Sequence, residues 1–175
     1  MGIFRKMVDA MMSIKRPEPG TPVLSAEEVK KAVLAANRPT APFQIRDGKE
    51  AGVDLIAEWK IVDAKWYEIF AKAGKKDTFK IEMMLDTAKN EVRAVDKRFT
   101  VEWRAGIPTI SASVKAFKGQ QQSVEFGAAY AFTEEFRPGE VYNYRFSTKE
   151  LKSPIQDAVT KAGWVYRGVV SHGKR

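Results

Sequence analysis

The feature that most limits what this chain can fold into is a switch to two-residue periodicity from Phe43 onward. In Val53-Asp54-Leu55-Ile56-Ala57-Glu58-Trp59-Lys60-Ile61 every odd position is apolar and most even positions are charged. Successive side chains of a strand point to opposite faces, so one face of this segment is buried and the other is wet. Phe79, Ile81, Met83 and Leu85 alternate with Lys80 and Glu82 in the same way. Asp86-Thr87-Ala88-Lys89-Asn90 supplies turn residues, and Glu91-Val92-Arg93-Ala94-Val95 returns as the second arm of a hairpin. Phe99, Val101 and Trp103 alternate again, and Asp96-Lys97-Arg98 before them suits a bulge or tight turn.

Later segments repeat the pattern. Ile110 to Ala116, Val124 to Phe132 and Val141 to Phe146 read as strands, separated by Lys118-Gly119-Gln120 and Arg137-Pro138-Gly139. The rows Phe79–Leu85 and Val124–Phe132 are the clearest buried faces.

Helical periodicity is confined to the two ends. Ile3, Phe4, Met7, Val8, Met11 and Met12 recur in pairs every four residues, which predicts an amphipathic helix within residues 1–16. Prolines at 17, 19 and 22 make residues 17–24 a linker. Ser25 and Glu28 form a capping box for a second helix, with Val29, Ala32, Val33 and Ala36 on one face. Ser153-Pro154-Ile155-Gln156 reads as the start of a third helix, and Gly163 as its stop. Trp164 to Val170 is a last strand, and residues 171–175 form a polar, frayed tail. These segments predict an α+β fold: a mainly antiparallel β-sheet, barrel or sandwich, with two N-terminal helices, a C-terminal helix and a final strand. Residues 25–170 are expected to form a single β-rich domain.

The residues present exclude much chemistry. The chain has no cysteine and one histidine, His172, so disulfides, thiolate sites and cysteine nucleophiles do not arise. A general base must be held in place, and His172 lies in the expected tail. Carboxylate pairs exist in Asp54 with Glu58 and Asp63 with Glu68, but they suit a solvated sheet face. Ala73-Gly74-Lys75-Lys76-Asp77 lacks the leading glycine of a phosphate loop and reads as a turn. The expectation is a non-catalytic binding or interaction module with no cofactor and no metal. The first residues lack a signal-peptide core, and no uncharged stretch is long enough to cross a membrane, so a cytoplasmic placement is expected.

The net charge of +8 is dispersed, with acids among the bases. Tyr142, Tyr144, Arg145, Lys149 and Lys152, with Trp164, Tyr166 and Arg167 beyond, come closest to a basic aromatic surface for nucleic acid. Their alternation places the aromatics in a core instead, which disfavours that reading.

Lys65-Trp66-Tyr67-Glu68-Ile69 resembles the Trp-Tyr-Glu-Ile run on the first barrel strand of lipocalins. That resemblance implies a barrel closed at its base by Trp66, with Tyr67 beside it, and a small apolar ligand inside. The chain departs from the family in Ala64, where lipocalins have glycine, in a full strand before the motif, and in lacking a Thr-Asp-Tyr counterpart.

The first helix offers the sharper functional choice. Its apolar residues Ile3, Phe4, Met7, Val8, Met11 and Met12 either fold back onto the domain or face outward to a membrane surface or a protein partner. Basic residues at both ends suit an anionic lipid surface, and the methionines suit a partner groove.

Overall fold

A computed structural model describes residues 2–38, 41, 43–60, 77–104, 107–110, 124–126 and 145–173. Helix α1 spans Ile3–Met11 and α2 spans Ala26–Leu34. Strands β1 (Phe43–Asp47) and β2 (Leu55–Trp59) follow, joined through a short 3-10 turn at Lys49–Ala51. Next come β3 (Asp77–Asp86), β4 (Glu91–Arg104), β5 (Ile107–Ile110), β6 (Val124–Phe126) and β7 (Arg145–Ser147). Helix α3 (Thr148–Lys161) and strand β8 (Val165–Val169) complete the chain. The α+β architecture expected from the sequence is therefore observed, with two helices first and a helix and strand last.

Strands β1 to β5 lie side by side in chain order, each antiparallel to the next. Strand β8 joins the same sheet in parallel to the first half of β4, pairing Val92 with Tyr166 and Ala94 with Gly168. Strands β6 and β7 form a separate two-stranded sheet. The alternation places Phe43, Ile45, Leu55, Ala57, Trp59, Ile81 and Met83 on a buried face of β1 to β3, although Ile56 on the other face is buried too and Leu85 is only half-buried. Helices α2 and α3 cover this face with Val29, Val33, Leu151, Ile155 and Val159. On the opposite face Arg46, Glu58 and Lys80 form a row of ion pairs across three strands.

The structure corrects the barrel expectation. The sheet has two ends: among the described residues no ladder joins β1 to β5 or β8. The outer side of β1 is instead covered locally. The Asn37 amide donates to the Ile45 carbonyl and accepts from the Ile45 N–H, both at 2.7 Å, standing in for a neighbouring strand.

Strand β4 shows no bulge at Asp96-Lys97-Arg98. Its pairing with β3 runs unbroken from Asp86↔Glu91 to Asp77↔Thr100. Val92, Ala94 and Asp96 therefore share one face, and Val101 belongs to the other, where it is buried as well. The apolar row changes face while the backbone continues. Asp96 is thereby directed into the core.

Two helix boundaries also differ from expectation. Helix α3 begins at Thr148, ahead of the Ser-Pro signal, and contains Pro154. Leu151 explains the extension, because it is fully buried and continues the Ile155–Val159 stripe back by one turn. Helix α1 ends at Met11, so Ser13 to Arg16 are not helical.

Candidate functional site

Helix α1 stops because the chain turns at Ser13, which has φ of 53°. The Ile14 N–H reaches the Asp9 carbonyl at 2.7 Å and the Ser13 N–H reaches the Ala10 carbonyl at 3.3 Å. This pair of bonds is the Schellman ending, which satisfies the last carbonyls of a helix when one residue turns left-handed. Arg16 then folds back onto Asp9 with two parallel bonds of 3.1 Å. The Arg16 bonds hold the Asp9 carboxyl below its ordinary range, helped by the charges of Arg5 and Arg167.

The segment after the turn fastens α1 to the body. Lys15 and Tyr166 exchange two backbone bonds, each 2.9 Å long. Ile14 is buried. The Lys152 ammonium lies 3.4 Å from the Ser13 hydroxyl, and the Gln156 amide donates to the Ser13 carbonyl at 3.5 Å. Lys152 also forms a 2.5 Å ion pair with Asp96, both nearly inaccessible to water. Burying one charge without the other is costly, so the pair ties α3 to β4 directly beneath the anchor. Tyr166 stands next to them, fully buried. Its hydroxyl has no hydrogen-bond partner among the described residues. Burial raises its pKa well above the ordinary value, and the Asp96 charge adds to the rise.

Above this firm mount, α1 itself buries nothing. Ile3 is 79% exposed, Phe4 80%, Met7 57%, Val8 38% and Met11 70%, while Met12 is half-buried. At 100° per residue these first five side chains cover an arc of about 140°. An aromatic side chain such as Phe4 has roughly 150–250 Å² to bury, and with the four smaller side chains weighted by their exposure the face presents on the order of 600 Å² of largely apolar surface. That is the upper end of what the largest patch on an ordinary monomer shows, about 300–600 Å².

A concavity, about 780 Å³ in volume, lies on the charged face of the sheet and is lined by Val53, Glu82, Met84, Val95, Val170 and His172 among others. The tail is docked here as far as Gly173: His172 Nε2 meets the Glu82 carbonyl at 3.0 Å, which makes Nε2 the protonated nitrogen of the neutral ring. Burial lowers the His172 pKa, and the nearby Lys97 and Arg93 charges add to this against the pull of Glu82. The charges in this cleft are matched, since Lys97 pairs with Glu82 at 2.9 Å.

The remaining sequence candidates separate. Trp66 and Tyr67 lie outside the described residues, as do Asp63 and Glu68, Gly74, and Tyr142 and Tyr144. Asp54 accepts from the Leu85 N–H at 2.8 Å, and Glu58 is held by Arg46, Gln44 and Lys80. These two carboxylates therefore have structural partners. Trp164 and Tyr166 are buried and Lys152 is engaged with Asp96, so they offer no stacking surface. Among the described residues no cluster of three or more His, Asp or Glu side chains could hold a metal ion. No helix of the described residues is long and apolar enough to cross a membrane. Sequence reasoning did not find the Asp96–Lys152–Ser13 mount, because the assumed bulge took Asp96 off the core face and the late helix start took Lys152 off α3.

Comparison with protein-family models, with curated proteins and with solved structures found no match.

Proposed function

We propose that this chain is an attachment module that works without chemistry of its own, docking through the outward apolar face of α1. One observation carries the reading: Ile3, Phe4, Met7 and Met11 are more than half exposed on a helix whose C-terminal end is clamped to the body. A nine-residue helix with no buried side chain gains little from packing against the described residues. Isolated helices below about 12–15 residues are marginal in water. An external body that covers the apolar face supplies the missing stabilisation.

The test is a Phe4→Asp, Met7→Asp variant of the full chain, compared with the parent by thermal unfolding and by fractionation of its own cells. The parent is expected in the particulate fraction and the variant in the soluble one, with equal melting temperatures. A fall of more than about 3 °C, the scale of 1 kcal/mol in a domain of about 150–250 residues, would show that the face is used inside the fold. Equal distribution of the two proteins would also end the proposal.

A further inference from the structure

We infer that the body covering α1 is an anionic lipid surface. This rests on the docking reading above and goes beyond it by naming the partner. Three features of the helix support it, and the first is the placement of charge. On the helical wheel Arg5 lies about 60° beyond the Val8 edge of the apolar arc, and Lys6 about 60° beyond the Ile3 edge. Cations therefore border the arc on both sides. The single acid of the helix, Asp9, sits opposite the arc and is neutralised by Arg16. Residues 2–16 hold four bases against that one acid. An apolar strip with a cation along each border matches a planar surface whose apolar interior lies beneath a layer of phosphates, since Lys and Arg stems can extend sideways to the headgroups.

The second feature is shape. The apolar arc is a convex ridge, and its residues stand clear of the body. A bilayer interface yields around a ridge, whereas a protein needs a preformed groove. The third feature is area. A standard protein–protein interface buries about 800 Å² per partner. The α1 face offers on the order of 600 Å², the bottom of the range of about 600–1,000 Å² per partner, and a second copy held by this helix alone would have to cover all of it. Interfacial attachment needs no such minimum, because electrostatic attraction adds to the apolar contact.

The experiment uses the full chain and vesicles of phosphatidylcholine, either pure or with about 30% phosphatidylserine, the kind of anionic lipid that attracts basic segments. Co-sedimentation is expected with the anionic vesicles, falling by at least about tenfold between roughly 0.05 M and 0.5 M salt as the charges are screened. Arg5→Gln with Lys6→Gln is expected to weaken it by about tenfold or more, since each base near an anionic surface contributes a severalfold gain. Phe4→Asp with Met7→Asp is expected to abolish it. Equal, salt-insensitive binding to both vesicle types would overturn the inference. So would absent vesicle binding alongside a concentration-dependent increase in mass that the Phe4→Asp, Met7→Asp variant loses. That result leaves docking through α1 standing, with a second copy as the partner. A loss of stability in the variant overturns the docking reading itself.

Discussion

Ser13 and Gly163 occupy the same place at the ends of two helices. Both follow the last turn by two residues, both have positive φ, at 53° and 79°, and both close a Schellman ending. Gly163 was legible in the sequence because glycine adopts that backbone without a steric cost. Ser13 was not, because serine there gives no such signal, and the apolar pairs run unbroken up to Met12 just before it. The two positions make opposite predictions. A Cβ at Gly163 would come within 2.3 Å of the Pro22 carbonyl oxygen. Gly163→Ala therefore combines a clash with a left-handed cost, and urea unfolding is expected to show a loss of about 2 kcal/mol or more. Ser13→Gly relieves the same backbone cost and gives up only the 3.4 Å contact with Lys152. It is expected to leave stability unchanged or raise it by up to about 1 kcal/mol. A marked loss for Ser13→Gly would mean that the Lys152 contact matters more than its length implies.

At the scale of elements, the alternation in β1 to β3 matches the paired strands, and β4 departs from its sequence pattern. Alternation reports which face is buried, and it assumes that the buried face stays the same. In β4 the first half is covered by α3 on one face, whereas Val101 is buried on the other. The periodicity shifted by one residue, which resembles an inserted residue in the sequence alone. Only the unbroken pairing with β3 distinguishes the two. Helix α3 starts nearly two turns before the sequence signal for a related reason: Ser153-Pro154 is a strong local start, and the packing of Leu151 overrides it. The tail after β8 carries a prediction of its own. His172 has a pKa below its ordinary value of 6.5, chiefly through burial, so the folded state favours the neutral ring. The stability from docking the tail is present above that value and is lost as pH falls through the lower folded value. An NMR titration is expected to place the His172 midpoint below 6.5 and to show the signals of Val170 to Gly173 changing with it. A midpoint at or above 6.5 would contradict the docked tail.

At the scale of the whole molecule, the described structure is an open mixed sheet with α2 and α3 on one face and a charged opposite face. The expectation of a barrel came from the number of alternating segments and from Trp66 and Tyr67, and neither feature specifies closure. Closure is a matter of which strands pair, and alternation is silent on that. The candidate site was half legible. The apolar residues of α1 stand out by their spacing, but spacing cannot say whether they face the core or solvent. The deciding features are the turn at Ser13, the Lys15–Tyr166 bridge and the polar mount below, which come from residues far apart in the chain. Amide hydrogen exchange of the free protein tests the central claim most directly. If α1 is held only at its end and its face is uncovered, the amides of Met7 to Met11 exchange far faster than those of Ile81 and Met83 in the core, and anionic vesicles slow them selectively. Protection of α1 in the free protein equal to that of the core strands would contradict the account.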